Sequence, residues 1–314
     1  MKTLWLLVAV VCTTLTTSCG NHRKSADWLT SDDVHIAVDE TFRPIMEEEM
    51  EVFALEHPEA SMKPVFCSEN EALRLLLCDS LRSCIVTRPL TDAEIKTIRS
   101  HTLEPRQSLI ATDAFALIVN KENNDTLITL DEIKKIVTGQ ITKWEELKYA
   151  KKRGTLNLVF DHEGSSTVRY MTDSLCGGKK LSGNLYAQGS NDSVIALVKR
   201  NPDIIGVVGA NWLKSRKDSA LYSFKNLDVN VMWVSRYADD ARREFFRPYQ
   251  YNIATAEYPL LRSVYAICTD PRSQSLERVF YFFLKGQKGQ LIICNYSQML
   301  PITPVQIKAV SIND

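Results

Sequence analysis

The chain has 314 residues, 38 basic against 38 acidic, and is 45% hydrophobic. A neutral chain with this apolar content suggests about two globular domains and excludes disordered, collagen-like and multi-span membrane classes. It also lacks the broad basic field that nucleic-acid binding uses.

Residues 1–18 read as a signal peptide. Lys2 supplies a positive start, and Leu4 to Val11 form an apolar run too short to span a bilayer. Small residues then lead into Cys19, an arrangement that resembles the lipobox of bacterial lipoproteins, with Thr16 standing where that motif prefers Leu. The open alternative is an ordinary secretory peptide cut nearby. Residues 19–30 are a polar tether. Short strand-like runs then alternate with helical periodicity, which predicts an α/β fold. Val34 to Val38 is the first strand. A helix follows with Pro44 near its start, an apolar face of Met46, Met50, Phe53 and Ala54, and a solvated face of Glu47, Glu48, Glu49 and Glu51. Further on come helix 69–77, strand 84–87, and a capping box from Thr91 to Glu94. The strand from Leu109 to Val119 is interrupted by Thr112-Asp113, and a second capping box runs from Thr129 to Glu132. Strands 156–160, 204–208 and 261–268, helix 192–200 and helices near 275–285 and 288–296 complete the pattern.

Without Cys12 and Cys19, the cysteines are Cys67, Cys78, Cys84, Cys176, Cys268 and Cys294. An exported chain admits disulfides among them, and buried free thiols fit the apolar runs equally well. No metal-ligand spacing of Cys or His appears, so no metal or cofactor is expected. Trp144, Trp212 and Trp233 are expected in the core rather than as a sugar-stacking platform.

Chemistry concentrates where strands give way to helices. Asp39 to Pro44, Thr87-Arg88-Pro89-Leu90 and Asp161 to Thr167 each follow a strand with hydroxyl-bearing residues. N–H groups at a helix start and nearby hydroxyls favour an anion. Plain helix caps are the simpler explanation of any one of them.

Taken together, six ordered stretches resemble the phosphate-binding proteins of bacterial ABC importers, members of the type II periplasmic binding protein superfamily. They are Glu40-Thr41-Phe42-Arg43-Pro44, Thr87-Arg88-Pro89-Leu90, Ile110 to Asn120, Leu130 to Ile133 with Thr138 to Trp144, Glu163-Gly164-Ser165-Ser166-Thr167, and Tyr258 through Gly286–Gln290 to Leu300-Pro301. The resemblance implies two lobes, each a doubly wound mixed sheet flanked by helices, with an anion held between them. Lobe 1 would comprise 31–112 plus 262–314 and lobe 2 residues 113–261, with crossings near Thr112-Asp113 and Tyr258–Arg262.

It further implies ligand contacts from Thr41, Phe42, Thr87, Arg88, Ser165, Ser166 and Thr167, with Glu40, Asp161 and Arg169 as additional cleft candidates. One departure stands out. The third loop of the family reads Arg-x-x-Gly-Ser-Gly-Thr, and here Asp161 replaces the arginine and Ser166 the second glycine. Losing a charged hydrogen bond costs about 1.5–3 kcal/mol. A carboxylate about 4 Å from the anion adds repulsion of about 4 kcal/mol at an effective dielectric near 20. Micromolar affinity is only about 8 kcal/mol. Relief would come if Asp161 points away or pairs with Arg169 or Arg88.

The expected function is therefore a periplasm-facing, lipid-anchored, monomeric solute-binding protein that delivers phosphate or a similar oxyanion to an ABC permease. The alternative is a non-transport lipoprotein reusing the fold for sensing or macromolecular interaction. A catalytic pair among Asp39, Glu40, Asp161 and Glu163 has no supporting nucleophile elbow, P-loop or metal motif, so no enzyme is expected.

Overall fold

A computed structural model describes residues 33–58, 61–213, 224, 227–238 and 244–303. The signal peptide, Cys19 and the tether lie outside the described residues. In chain order the elements are β1 (Val34–Asp39), α1 (Arg43–Glu56), β2 (Met62–Cys67), α2 (Glu69–Leu77), β3 (Ser83–Val86), α3 (Asp92–Ser100), β4 (Arg106–Asn120), β5 (Leu127–Thr129), α4 (Leu130–Val137), β6 (Asn157–Phe160), α5 (Ser166–Tyr170), β7 (Leu185–Ala187), α6 (Asn191–Arg200), β8 (Ile204–Gly209), β9 (Val229–Val231), β10 (Trp233–Ser235), α7 (Gln250–Ala254), β11 (Leu261–Cys268), α8 (Leu276–Lys285), α9 (Gln287–Tyr296) and β12 (Leu300–Pro301). The α/β expectation is met.

Local chemistry accounts for most boundaries. Thr91 with Glu94 and Thr129 with Glu132 both close as reciprocal capping boxes at the starts of α3 and α4. Ser68, Ser165, Ser190 and Ser275 accept backbone N–H bonds at the starts of α2, α5, α6 and α8. Beyond α4, Gly139 takes the left-handed φ of +73° that ends the helix.

Helix α1 departs from expectation on both faces. Ile45, Met46, Glu49, Met50 and Phe53 are buried, while Ala54 is exposed. Position 49 lies three residues after Met46 and four before Phe53, so Glu49 shares their face. Its two carboxylate oxygens find no hydrogen-bond partner among the described residues, and burial raises its pKa well above the usual range.

The main sheet runs β2-β1-β3-β11-β4-β8-β6-β7, with β9 and β12 also pairing with β4. Two sheets were expected, and one strand fuses them. Residues Arg106–Ala114 of β4 pair with β11, and Phe115–Val119 pair with β8. Thr112-Asp113 does not interrupt β4, because the Asp113 carboxylate is neutralised directly across the strand pair by Arg262. Apolar cores pack on either side of this junction. Phe42, Phe53 and Phe280 anchor one, and Trp144, Phe115 and Tyr258 the other. Trp144 is a core residue as expected, whereas Trp212 and Trp233 are only half-buried.

All six cysteines among the described residues are free thiols. Burial pushes Cys84 above its ordinary range and Cys67 up to about 12.

Candidate functional site

The parallel strands β1 and β6 lie in different halves of the sheet. The chain leaves each at its C-terminal end, the edge where open α/β sheets bind ligands. After β1, Asp39 folds back on its own turn. Its Oδ1 accepts from the Thr41 backbone N–H at 3.0 Å and from the Thr41 hydroxyl at 2.9 Å. After β6, Ser165 caps α5 by accepting from the Val168 N–H at 3.2 Å. Ser166 and Thr167 follow in the first turn of that helix, fully buried. The first-turn N–H groups have no acceptor inside the helix. The Thr167 hydroxyl is buried without a partner.

Between these turns sits Arg262, which the sequence reading did not select. Its Nε and Nη2 donate to Asp113 Oδ2 at 2.9 and 2.7 Å, and Nη1 donates to Ser166 Oγ at 2.7 Å. The guanidinium lies 4.2 Å from the Phe115 ring centroid and 4.9 Å from that of Phe42. Its side chain is only 3% exposed. A fixed, desolvated positive charge is thus held between the two turns. The sequence signal was present: Arg262 is the one charge in β11 and Asp113 the one carboxylate in β4, each among apolar neighbours.

Other side chains bridge the halves. Arg169 donates from Nε to Glu69 Oε2 at 2.5 Å and from Nη2 to Thr87 Oγ1 at 2.6 Å. Thr87 in turn donates its N–H and hydroxyl to Glu69 Oε1. Burial works against the Glu69 carboxylate, yet the Arg169 and Thr87 bonds outweigh it and hold its pKa below the usual range. Asn191 donates to Glu40 Oε2 at 2.8 Å. The Thr41 carbonyl accepts from Asn211 Nδ2 at 3.1 Å and Trp212 Nε1 at 2.7 Å. Trp212 was expected in the core and instead ties the two halves together.

The structure thus gathers Glu40, Thr41, Phe42, Thr87, Asp161, Ser165, Ser166, Thr167 and Arg169 around the junction. Arg88 is the exception, because its guanidinium is held by Glu94 at 2.7 and 2.8 Å. The expected pairing of Asp161 with an arginine is not seen, since Arg88 is engaged by Glu94 and Arg169 by Glu69. Asp161 is wholly buried, its Oδ2 accepting a long 3.5 Å bond from Asn191 and its Oδ1 having no partner among the described residues. Asp39 is pushed up to about 6, chiefly by burial, which the nearby Arg262 only partly offsets. Burial also raises Glu40.

Comparison with known proteins agrees with this architecture. The chain is 20% identical over 179 residues to the phosphate-binding protein PstS of Staphylococcus haemolyticus, covering 57% of this chain and 56% of that protein. It is 26% identical over 200 residues to PstS of Bacillus subtilis, covering 63% and 58% respectively. Both matches thus span less than two thirds of the curated relative. Among solved structures, an ABC-type phosphate transport receptor from Vibrio cholerae superposes with a TM-score of 0.62 at 21% identity, over 86% of this chain and all of that one. That likeness establishes a shared two-lobe fold. The model of the PBP superfamily domain matches residues 24–286. Because that match takes in well over half of the sequence, the chain belongs to the PBP superfamily.

Proposed function

We propose that this chain is a solute-binding protein that takes phosphate or a similar oxyanion between the halves of its sheet and passes it to an ABC permease. The observation that carries this reading is the buried Arg262 guanidinium, set between two hydroxyl-bearing turns that follow parallel strands. It supplies, from β11, the charge that the third loop lacks at Asp161. Thr41, Phe42, Ser165, Ser166 and Thr167 would bind the anion, with Thr87 and Arg169 exchanging their bonds to Glu69 for bonds to it. The names of the relatives support phosphate over other oxyanions. In this reading, residues 31–112 plus 262–314 and residues 113–261 move as two lobes about the Asp113–Ala114 and Leu261–Arg262 strand pairs. Export and lipidation at Cys19 would hold the protein at the envelope as a monomer facing the periplasm. No catalytic role is assigned to the site.

Thermal unfolding with and without phosphate tests the proposal. At 100 times Kd the ligand should add about 2.7 kcal/mol of stability. No rise in melting temperature at millimolar phosphate would refute it. Asp161→Asn keeps the side-chain shape and removes a buried negative charge. It should strengthen phosphate binding about tenfold or more, read by titration calorimetry. Unchanged affinity would place Asp161 outside the anion's reach.

A second reading has its own observation. Asp39, Glu40, Glu69, Asp113 and Asp161 are all buried around the junction, against the two arginines Arg169 and Arg262. A cleft this acidic suits a non-transport lipoprotein that has kept the fold and changed its ligand. The same melting experiment separates the two readings.

A further inference from the structure

The carboxylates of Glu40 and Asp161 and the imidazole of His162 meet where the β1 and β6 turns face each other. One ligand atom from each lies within 4.8 Å of the others. Glu40 is 5% exposed and Asp161 fully buried, so this is not a solvated acidic surface. Asn191 donates to one oxygen of each carboxylate, at 2.8 and 3.5 Å, and thereby orients both. The remaining Asp161 oxygen, Oδ1, is buried with no partner among the described residues, and so is His162 Nδ1. A buried acceptor without a donor costs on the order of 1–3 kcal/mol. A cation held by the three side chains would supply the positive partner that this buried cluster lacks. The cation already nearby is Arg43, whose Nε is 3.7 Å from Glu40 Oε1 on a side chain 38% exposed. It neutralises Glu40 weakly and reaches the Asp161 oxygen through no hydrogen bond among those described.

We propose that Glu40, Asp161 and His162 form a site for a divalent transition-metal ion, with Zn²⁺ as the probe. Two carboxylate oxygens and one imidazole nitrogen suit Zn²⁺ or Mn²⁺ better than Mg²⁺ or Ca²⁺, which favour sites built wholly of oxygen. Three protein ligands leave a coordination position for water or an exogenous anion. Asn191 acts as the outer hydrogen-bonding group that fixes the carboxylates. Because Glu40 belongs to the β1 turn and the other two ligands to the β6 turn, the ion would tie the halves of the sheet together. Glu40 is too far in sequence from the adjacent Asp161 and His162 to form a recognisable spacing, which is why a reading by motif expects no metal.

The site is independent of the phosphate proposal and is tested without phosphate. The full chain, stripped with EDTA and exchanged into phosphate-free buffer, is titrated with Zn²⁺ by calorimetry. One equivalent should bind, and Mg²⁺ at the same concentration should give no comparable binding. His162→Ala, and separately the near-isosteric Asp161→Asn, should each weaken Zn²⁺ by at least about tenfold. His101→Ala, a change to an exposed histidine beyond α3, should leave binding unchanged. Failure of the wild type to bind, binding that survives either ligand substitution, or Mg²⁺ binding as tightly as Zn²⁺ would each overturn the assignment. Phosphate-induced stabilisation in metal-free protein remains a separate measurement, so either proposal can fail alone.

Discussion

Arg262→Met should lower folding stability by about 3–5 kcal/mol, because it leaves the Asp113 carboxylate buried without its partner. Asp113 is fully buried, and Arg262 is its main partner, giving it two charged hydrogen bonds beside weaker help from Asn211 and the Ala114 backbone. Met keeps the apolar stem packed between Phe42 and Phe115, so little of the loss should come from a cavity. The double variant Arg262→Met with Asp113→Leu should recover most of the stability, since an apolar pair can replace a buried ion pair at little or no cost. Urea unfolding of the wild type and of both variants measures this. The proposed anion site makes a second demand on the same proteins. Phosphate binding should be lost in the single and the double variant alike, because neither retains the guanidinium. A double variant that is stable and still binds phosphate would remove Arg262 from the proposed site. A single variant as stable as the wild type would show that Asp113 is neutralised in some other way.

Arg262 also marks the limit of what the sequence discloses. Capping boxes at Thr91 and Thr129 are local, and the residues that close them lie three positions away, so the starts of α3 and α4 can be read directly. The turns after β1 and β6 can be read for the same reason: a strand, a hydroxyl and a helix follow one another in the chain. What joins those turns is not local. Arg262 meets Asp113 and Ser166 only because β11 lies antiparallel to β4. Glu69 reads as a favourable acid in the first turn of α2, yet its carboxylate is held by Arg169 and Thr87 from two other elements. Asn191 has no signal beyond its place at the start of α6, yet it orients Glu40. Glu49 could have been found, since the period that selects Met46, Met50 and Phe53 also selects position 49. At that position the charge of the side chain masks the helical period. The fold was thus legible from local pattern, and the candidate turns with it, while the charge balance between them depended on strand pairing.

That charge balance has a measurable consequence at Asp39. Its carboxyl is raised from 3.8 to about 6, chiefly by burial and further by Glu69, against the opposing pull of Arg262, Ser166 and Thr41. Between these values the native state holds a proton that the unfolded state does not, so Asp39 favours folding at low pH. The contribution is fully present below about 3.8 and is lost as pH rises through about 6. A shift of this size corresponds to about 3 kcal/mol. Asp39→Asn removes the titration and preserves an oxygen to accept from Thr41. The new amide has its own packing and hydrogen-bonding cost, but that cost is the same at every pH. The stability of the variant relative to the wild type should therefore rise by about 2.4 kcal/mol between pH 4 and pH 8. Urea unfolding of both proteins at the two pH values gives this double difference. Carboxylates held by arginines and not coupled to Asp39, such as Glu94, titrate in the opposite sense in both proteins and cancel. A double difference below about 1 kcal/mol would mean that Asp39 is well solvated or fully neutralised by Arg262. The turn after β1 would then meet an incoming oxyanion without a buried, uncompensated carboxylate.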